Sequence, residues 1–336
     1  IVQLLIFGFA ITTEVRNANI AILDNSKDEV TQNIISKIEG SQYFKIDRTI
    51  SSNAQIEKAF KTGKVKLAVI FQQNFQNDLA HSNKAQLQII ADATDPNQAT
   101  TLTNYVSSIV RDYQNELNQQ NKLPYTIKTE IRMLYNPQLK GAYTSVPGVM
   151  GMILLLISAM MTSIAIVREK ELGTMEILLV SPMKPWLVVI SKVIPYFIIS
   201  LINVATILIL SVFVLGLPIE GSLLLLIGST IVYIFCALSL GILISTITET
   251  QQAAMLISLL GLMLPVVMLS GYAFPIANMP TILQVLSNLV PAKWYIIMVK
   301  GVMIKGIGIE QIWKELLILL AMTGTFLIIS IKRFKI

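Results

Sequence analysis

The run Arg168-Glu169-Lys170-Glu171 is followed by Gly173, Thr174 and Glu176, and closes at Ser181-Pro182. Four adjacent charges of alternating sign can pair ions and accept or donate hydrogen bonds across a surface. The rest of the chain offers little for bond-breaking chemistry. It holds one histidine, His81, and one cysteine, Cys236. A histidine-based triad, a multi-histidine metal site, an internal disulfide and a cysteine metal centre are therefore excluded. The chemistry open to residues 168–182 is recognition and mechanical linkage.

What must position this run is a membrane. Of 336 residues, 54% are hydrophobic and 14% are charged, where a soluble domain carries about 25% charged residues. The apolar excess begins after Ser145. Residues 147–167, 186–217, 222–247, 253–269 and 313–331 are apolar over lengths that cross about 30 Å of hydrocarbon. Pro195 is expected to interrupt the second of these. Residues 1–11 read as the end of a further span, for six in all. The expected fold is thus a polytopic α-helical membrane protein, six spans with the first incomplete, carrying an inserted α/β extracytoplasmic domain. Its divisions are 1–11, 12–145 and 146–336.

The insert supplies the α/β part. NIAILD, YFKIDRTI, KLAVIF, LQIIAD and IRMLY are β-prone runs, and helical patterns lie between them. Ser26 is the expected N-cap of a first helix that stops at Gly40. A second helix stops at Gly63, and a long polar one opens at Asp95-Pro96 and runs to about Gln120. His81 falls in a polar stretch and reads as a surface residue.

Charge sets the orientation. Arg168, Lys170 and Lys184, and Lys332, Arg333 and Lys335, mark two cytoplasmic ends. The net charge of +6 follows from this positive-inside bias, and nucleic acid is not an expected partner. The loop 168–185 and the turn around Thr248 and Glu249 then face the cytoplasm. The insert and the loop 271–312 face outward, the latter with a short apolar helix dipping back into the bilayer. Trp294 and Tyr295 fit an interfacial aromatic belt.

On a helical wheel Leu172, Met175, Leu178 and Leu179 form an apolar face, with Glu169, Gly173 and Glu176 beside it. Such a helix either lies on lipid or docks on a partner protein. REKELGTMEILLVSPM resembles the R-E-K-E-x-G-T-x-E-x-L-L-V-[ST]-P signature of ABC-2 type transporter permeases. LPVVMLSGYAFPIANMP, residues 264–280, is similar to the same family's fifth span and outer loop. The likeness extends over nearly the whole chain, and is greatest to long bacterial exporters with a large extracytoplasmic domain.

The resemblance implies a cytoplasmic-membrane permease that moves a hydrophobic or amphipathic compound outward. It implies a second permease chain, identical or not, and separate ATP-binding subunits that hold ATP and Mg. No G-x-x-x-x-G-K-[ST] loop is present, since Gly63-Lys64 is followed by Val65, so ATP chemistry is expected in another chain. By the matching motif Arg168, Glu169, Lys170, Glu171, Gly173, Thr174 and Glu176 make the coupling contact, with Thr248 and Glu249 as a smaller one. Gly271, Phe274, Pro275 and Pro280 would form an outer gate. Asn203, Thr162, Ser163 and Ser229 are polar positions for a substrate path, and Lys192 is placed to snorkel to the cytoplasmic surface. An outer domain of this size suits a periplasmic adaptor. A mechanotransmitter driving such a partner, and an ATP-independent sensor, are the competing readings.

Overall fold

The computed structural model describes residues 15, 17–50, 52–120, 125–174, 185–276 and 279–333. The chain divides into two compact units, one within Thr12–Tyr143 and one within Thr144–Ile336.

The first unit is built on a five-stranded sheet of order β2-β1-β3-β4-β5. The strands are β1 (Ala18–Asp24), β2 (Phe44–Thr49), β3 (Leu67–Phe71), β4 (Lys84–Asp92) and β5 (Thr126–Leu134). The intervening helices are α1 (Glu29–Glu39), α2 (Asn53–Lys61), α3 (Phe75–Ser82) and α4 (Pro96–Gln120). Pairing is parallel except between β3 and β4. Alternation along each strand splits the core between the two faces. Ile20, Ile22, Leu67, Val69, Leu87 and Ile89 pack with Ile34 and Ile38 of α1, Phe75 of α3 and Leu102 and Val106 of α4. Ala21, Leu23, Ala68, Ile70 and Ile90 pack with Ile56, Ala59 and Phe60 of α2.

Each apolar run named above forms a strand, but β4 and β5 begin earlier than expected, at Lys84 and Thr126. Their early residues alternate polar and apolar because one face is covered and the other is not. The N-cap of α1 is Asp28, not Ser26. The Asp28 side chain accepts from the Thr31 N–H, while the Ser26 hydroxyl donates to Asp28 and accepts from the Phe75 N–H. The α3 helix was not expected; it is eight residues long and set between Asn74 and Asn83, both left-handed. His81 lies on it, exposed, as expected.

The second unit is helical. Among the described residues, five helices are long and apolar enough to cross a membrane, or up to six if a bent pair counts as one span. They are α5 (Ala142–Glu171), α6 (Pro185–Phe213), α7 (Leu223–Ile247), α8 (Gln251–Leu269) and, last, α11 (Ile309–Arg333). Between the fourth and the last lie α9 (Thr281–Ser287) and α10 (Pro291–Val299), the latter extended by a π-helical turn over Lys300–Ile304. These two form the bent pair, with an angle of 81°, where a short apolar helix was expected to dip back. Residues 1–11 lie outside the described residues. The α6 helix continues through Pro195 instead of breaking there. In spanning helices, neighbouring helices and local adjustments re-satisfy the backbone groups a proline frees.

The bundle packs through small residues. A Cβ on Gly241 of α7 would lie 2.5 Å from the Ala159 carbonyl oxygen of α5. One on Gly148 would overlap the Tyr272 ring, at 1.8 Å from Cδ2. Such close approach is how helices associate where lipid removes any hydrophobic drive between them.

Candidate functional site: the charged end of α5

The charged run is the last turn of α5. The helix ends where Gly173 takes a left-handed backbone, φ +71°, a conformation glycine adopts without steric cost. Of the Glu169–Gly173–Glu176 stripe expected from the wheel, Glu169 lies on the helix and Gly173 just past its end. Glu176, with Met175, Leu178 and Leu179, lies outside the described residues. Arg168, Leu172 and Gly173 are exposed.

Three consecutive side chains reach three different helices. Lys192 of α6 donates to Glu169 Oε1 at 2.6 Å, and the Thr174 hydroxyl donates to Glu169 Oε2. Lys170 Nζ donates to the Ser245 carbonyl, in the last turn of α7. Glu171 Oε2 accepts from the Gln251 backbone N–H at 2.9 Å and from Gln251 Nε2 at 3.0 Å. Gln251 is the first residue of α8.

The residue types follow from helix ends. The last carbonyls of a helix and its first N–H groups lack intrahelical partners. A cation suits the negative C-terminal end and a carboxylate the positive N-terminal end. The ends of α7 and α8 are separated only by Thr248, Glu249 and Thr250, so adjacent Lys170 and Glu171 meet opposite poles. The Glu169–Lys192 pair is partly exposed, at 21% and 37% of the side chain. Ion pairs of that kind contribute about 1 kcal/mol or less, so its consequence is alignment more than stability.

Lys192 thus has a partner, Glu169, where snorkelling alone was expected. Ser245 was missed, and Gln251 was expected only as part of the loop 248–252, not as a partner of Glu171. A usable signal existed: a Lys-Glu step facing the junction of two helices joined by a very short turn. Thr248 is buried, its hydroxyl on the Ile244 carbonyl at 2.9 Å. Glu249 is exposed.

Thr162, Ser163 and Ser229 are buried within the bundle. Ser229 donates to Leu226 O of its own helix at 2.9 Å, whereas Thr162 Oγ1 and Ser163 Oγ have no hydrogen-bond partner among the described residues. Asn203 is half-buried. In the loop after α8 Gly271 is left-handed at φ +79°. Phe274 and Pro275 are half-buried, and Pro280 precedes α9, exposed.

Tyr295 is a correction. It is fully buried and stacked on Tyr233 of α7, with centroids 4.0 Å apart and planes 2° from parallel. Its hydroxyl lies 3.0 Å from Thr230 Oγ1, and the Tyr233 hydroxyl donates to the Gly151 carbonyl at 2.6 Å. An amphipathic ring suits either an interface or a satisfied core position, and here Gly151 and Thr230 provide the latter. Trp294, half-buried, donates to the Asn288 carbonyl at 3.0 Å.

A family model described as ABC-2 family transporter protein matches residues 1–332. The chain is 32% identical over 325 residues to "Probable multidrug ABC transporter permease YbhR" of Escherichia coli strain K12, covering 97% of this chain and 88% of that protein. It is 31% identical over 307 residues to the same organism's "Probable multidrug ABC transporter permease YbhS", covering 90% and 81%. It is 29% identical over 324 residues to that organism's "Inner membrane transport permease YhhJ", covering 95% and 85%.

Proposed function

The chain belongs to the ABC-2 family of transporter proteins, and on that premise we propose that it is the membrane permease subunit of an ATP-driven exporter. ATP and Mg are held by a separate ATP-binding subunit. Two permease chains, each with six spans, enclose a path through a bacterial inner membrane. The α/β unit stands on the outer side, where an adaptor would reach it. The cargo is a hydrophobic or amphipathic compound. The multidrug names of two relatives support that class, as do apolar spans whose buried polar groups are mainly hydroxyls.

The observation that carries this reading is the three-way tie of Glu169, Lys170 and Glu171 to α6, α7 and α8. A push on the end of α5 reaches three other spans through contiguous bonds. Exposed Arg168, Leu172 and Glu249 face outward from the tie, as a docking surface requires. Charge here therefore has two duties, docking by Arg168 and transmission by residues 169–171. Gly271, Phe274, Pro275 and Pro280 gate the outer end, and Asn203, Thr162, Ser163 and Ser229 remain proposed path positions.

The test is co-purification and ATPase activity in lipid vesicles of this chain with its cognate ATP-binding subunit. Arg168→Glu is expected to lose the subunit. Glu169→Gln is expected to keep it and to hydrolyse ATP, while moving little of a fluorescent hydrophobic dye. Wild-type binding and transport in both variants would remove the coupling assignment. Coupled hydrolysis with no dye or lipid probe moved by the wild type would favour the mechanotransmitter.

A further inference from the structure

The two edges of the sheet in the α/β unit are unlike. An open edge offers unpaired N–H and C=O groups to any passing strand, and proteins blunt it with short strands, bulges and charges. The β2 edge is blunted. It is six residues long, and its register with β1 slips between Ile20 and Ala21, leaving Asp47 unmatched. Asp47 then pairs with Arg48 at 2.7 Å. The β5 edge is neither short nor bulged, and its charges, Lys128, Glu130 and Arg132, alternate in sign. It runs nine residues in unbroken register with β4, from Thr126 opposite Lys84 to Leu134 opposite Asp92.

The backbone hydrogen bonds fix which groups of β5 point away from the sheet. The Thr126 N–H donates to Asn83 O, and Leu134 O accepts from the Ala93 N–H. Even-numbered residues therefore face β4, and odd-numbered ones face outward. At the start of the strand α4 already serves the outward groups. Tyr125 N–H and C=O both bond Asn118, and the Ile127 N–H donates to Gln114 Oε1 at 3.0 Å. At the far end Tyr135 turns left-handed, φ 67°, and the strand stops. Among the described residues, nothing pairs with the outward groups of Thr129, Ile131 and Met133. The open window is centred on Ile131.

That window is complementary to itself. Ile131 is an isoleucine with 44% of its surface exposed, on the face whose neighbours Ile127 and Met133 join the core. Glu130 and Arg132 flank it, both exposed, on the opposite face. Two copies laid antiparallel with the two-fold at Ile131 set Glu130 of each against Arg132 of the other. Ile131 then meets Ile131, and Thr129 meets Met133. The outward backbone groups of these residues are the ones that such a ladder needs. Cross-strand pairs of opposite charge and of β-branched residues favour this register, and like charges disfavour its neighbours. A shift of the two-fold to Glu130 would set Glu130 on Glu130 and Lys128 on Arg132.

We propose that residues 129–133 of β5 form an interaction surface for a second copy of this chain, joining two sheets into one across a two-fold axis. This goes beyond the transport reading and does not depend on it. The surface is isologous, so one strand supplies both halves.

The experiment uses the full chain in its native membrane with Cys236→Ser, so that an introduced cysteine is the sole thiol. Directly opposed hydrogen-bonded residues have Cα atoms about 5.5 Å apart, within disulfide reach. Oxidation of the Ile131→Cys chain is expected to give a covalent dimer of twice the chain mass, and Thr49→Cys on β2 none. Adding Glu130→Arg should cut the Ile131→Cys yield about fivefold through two like-charge pairs. Glu130→Arg with Arg132→Glu should restore it. No dimer at Ile131, equal yield at Thr49, or indifference to the charge changes would overturn the proposal. So would an adduct whose mass shows another protein at the edge. A wild-type dimer by light scattering without the Ile131 cross-link would leave the two-chain permease standing and remove this contact.

Discussion

The α/β unit and the helical unit bury opposite things. In the first, the inside is Ile20, Ile34, Phe60, Leu67 and Leu87, and each is less than 1% exposed. In the second, some of the largest apolar side chains are outside: Phe213 is 83% exposed, Leu224 84% and Ile282 76%. Its inside includes Ser158, Thr162, Ser229, Thr230, Ser239 and glycines at helix crossings. One sequence has met two solvents. Water drives apolar area inward, whereas lipid tails give helices no such reason to associate and leave close packing and hydrogen bonds to hold them. The same residue type therefore has a different worth on the two sides of Thr144.

A pair of phenylalanines puts this contrast at greatest risk. Phe60→Ala empties a fully buried site against the sheet and should cost the α/β unit about 3–5 kcal/mol. Phe213→Ala, on an exposed helix end, should leave stability unchanged within about 0.5 kcal/mol. Thermal unfolding of the full chain in lipid nanodiscs, followed by protease cutting within each unit, reads both. Comparable losses would mean that Phe213 is not lipid-facing. The second effect is smaller and falls in the other unit. Gly241→Val should force α7 off α5, because even a Cβ meets the Ala159 carbonyl. Overpacking of that order costs about 1–3 kcal/mol. The same readout should show cutting within Thr144–Ile336 at a lower temperature, with the α/β unit unaffected. Unchanged resistance there would mean that the two helices are not packed through glycine.

Legibility in the sequence followed the same divide. In the α/β unit, short apolar β-prone runs marked the strands, and Gly40 and Gly63 marked helix ends. The early residues of β4 and β5 were missed because Lys84, Gln86, Lys128 and Glu130 leave one face polar. In the helical unit length identified the spans, but a helix apolar all round carries no period that says which face turns inward. Tyr295 therefore read as an interfacial residue although it stacks inside on Tyr233. The charged run was conspicuous as a motif, yet its partners lie 23 residues away at Lys192 and 80 away at Gln251. Such pairings depend on how spans are arranged, which local pattern does not encode.

The smallest effect tests a polar device in the water-facing unit. Asp28 caps α1 through the Thr31 N–H at 2.8 Å and also accepts from the Gln76 N–H, in the first turn of α3, at 2.9 Å. Burial works against its charged form. The hydrogen bonds from Ser26, Thr31 and Gln76 together outweigh that and hold its carboxyl below the ordinary carboxylate range. Asp28→Asn keeps an acceptor for Thr31 but turns an NH2 toward the Gln76 N–H. The expected loss is about 1 kcal/mol. A carboxyl depressed in the folded state stabilises it above the unfolded pKa of about 3.9 and loses that contribution as pH falls through the folded value. The wild-type advantage should thus be full at pH 7 and should shrink below about pH 4. Hydrogen-exchange protection of α1 and α3, corrected for intrinsic rates, measures it at both ends. A difference between wild type and variant that persists undiminished well below that range would show that the cap works through shape alone. The charge of Asp28 would then do nothing that a neutral amide cannot.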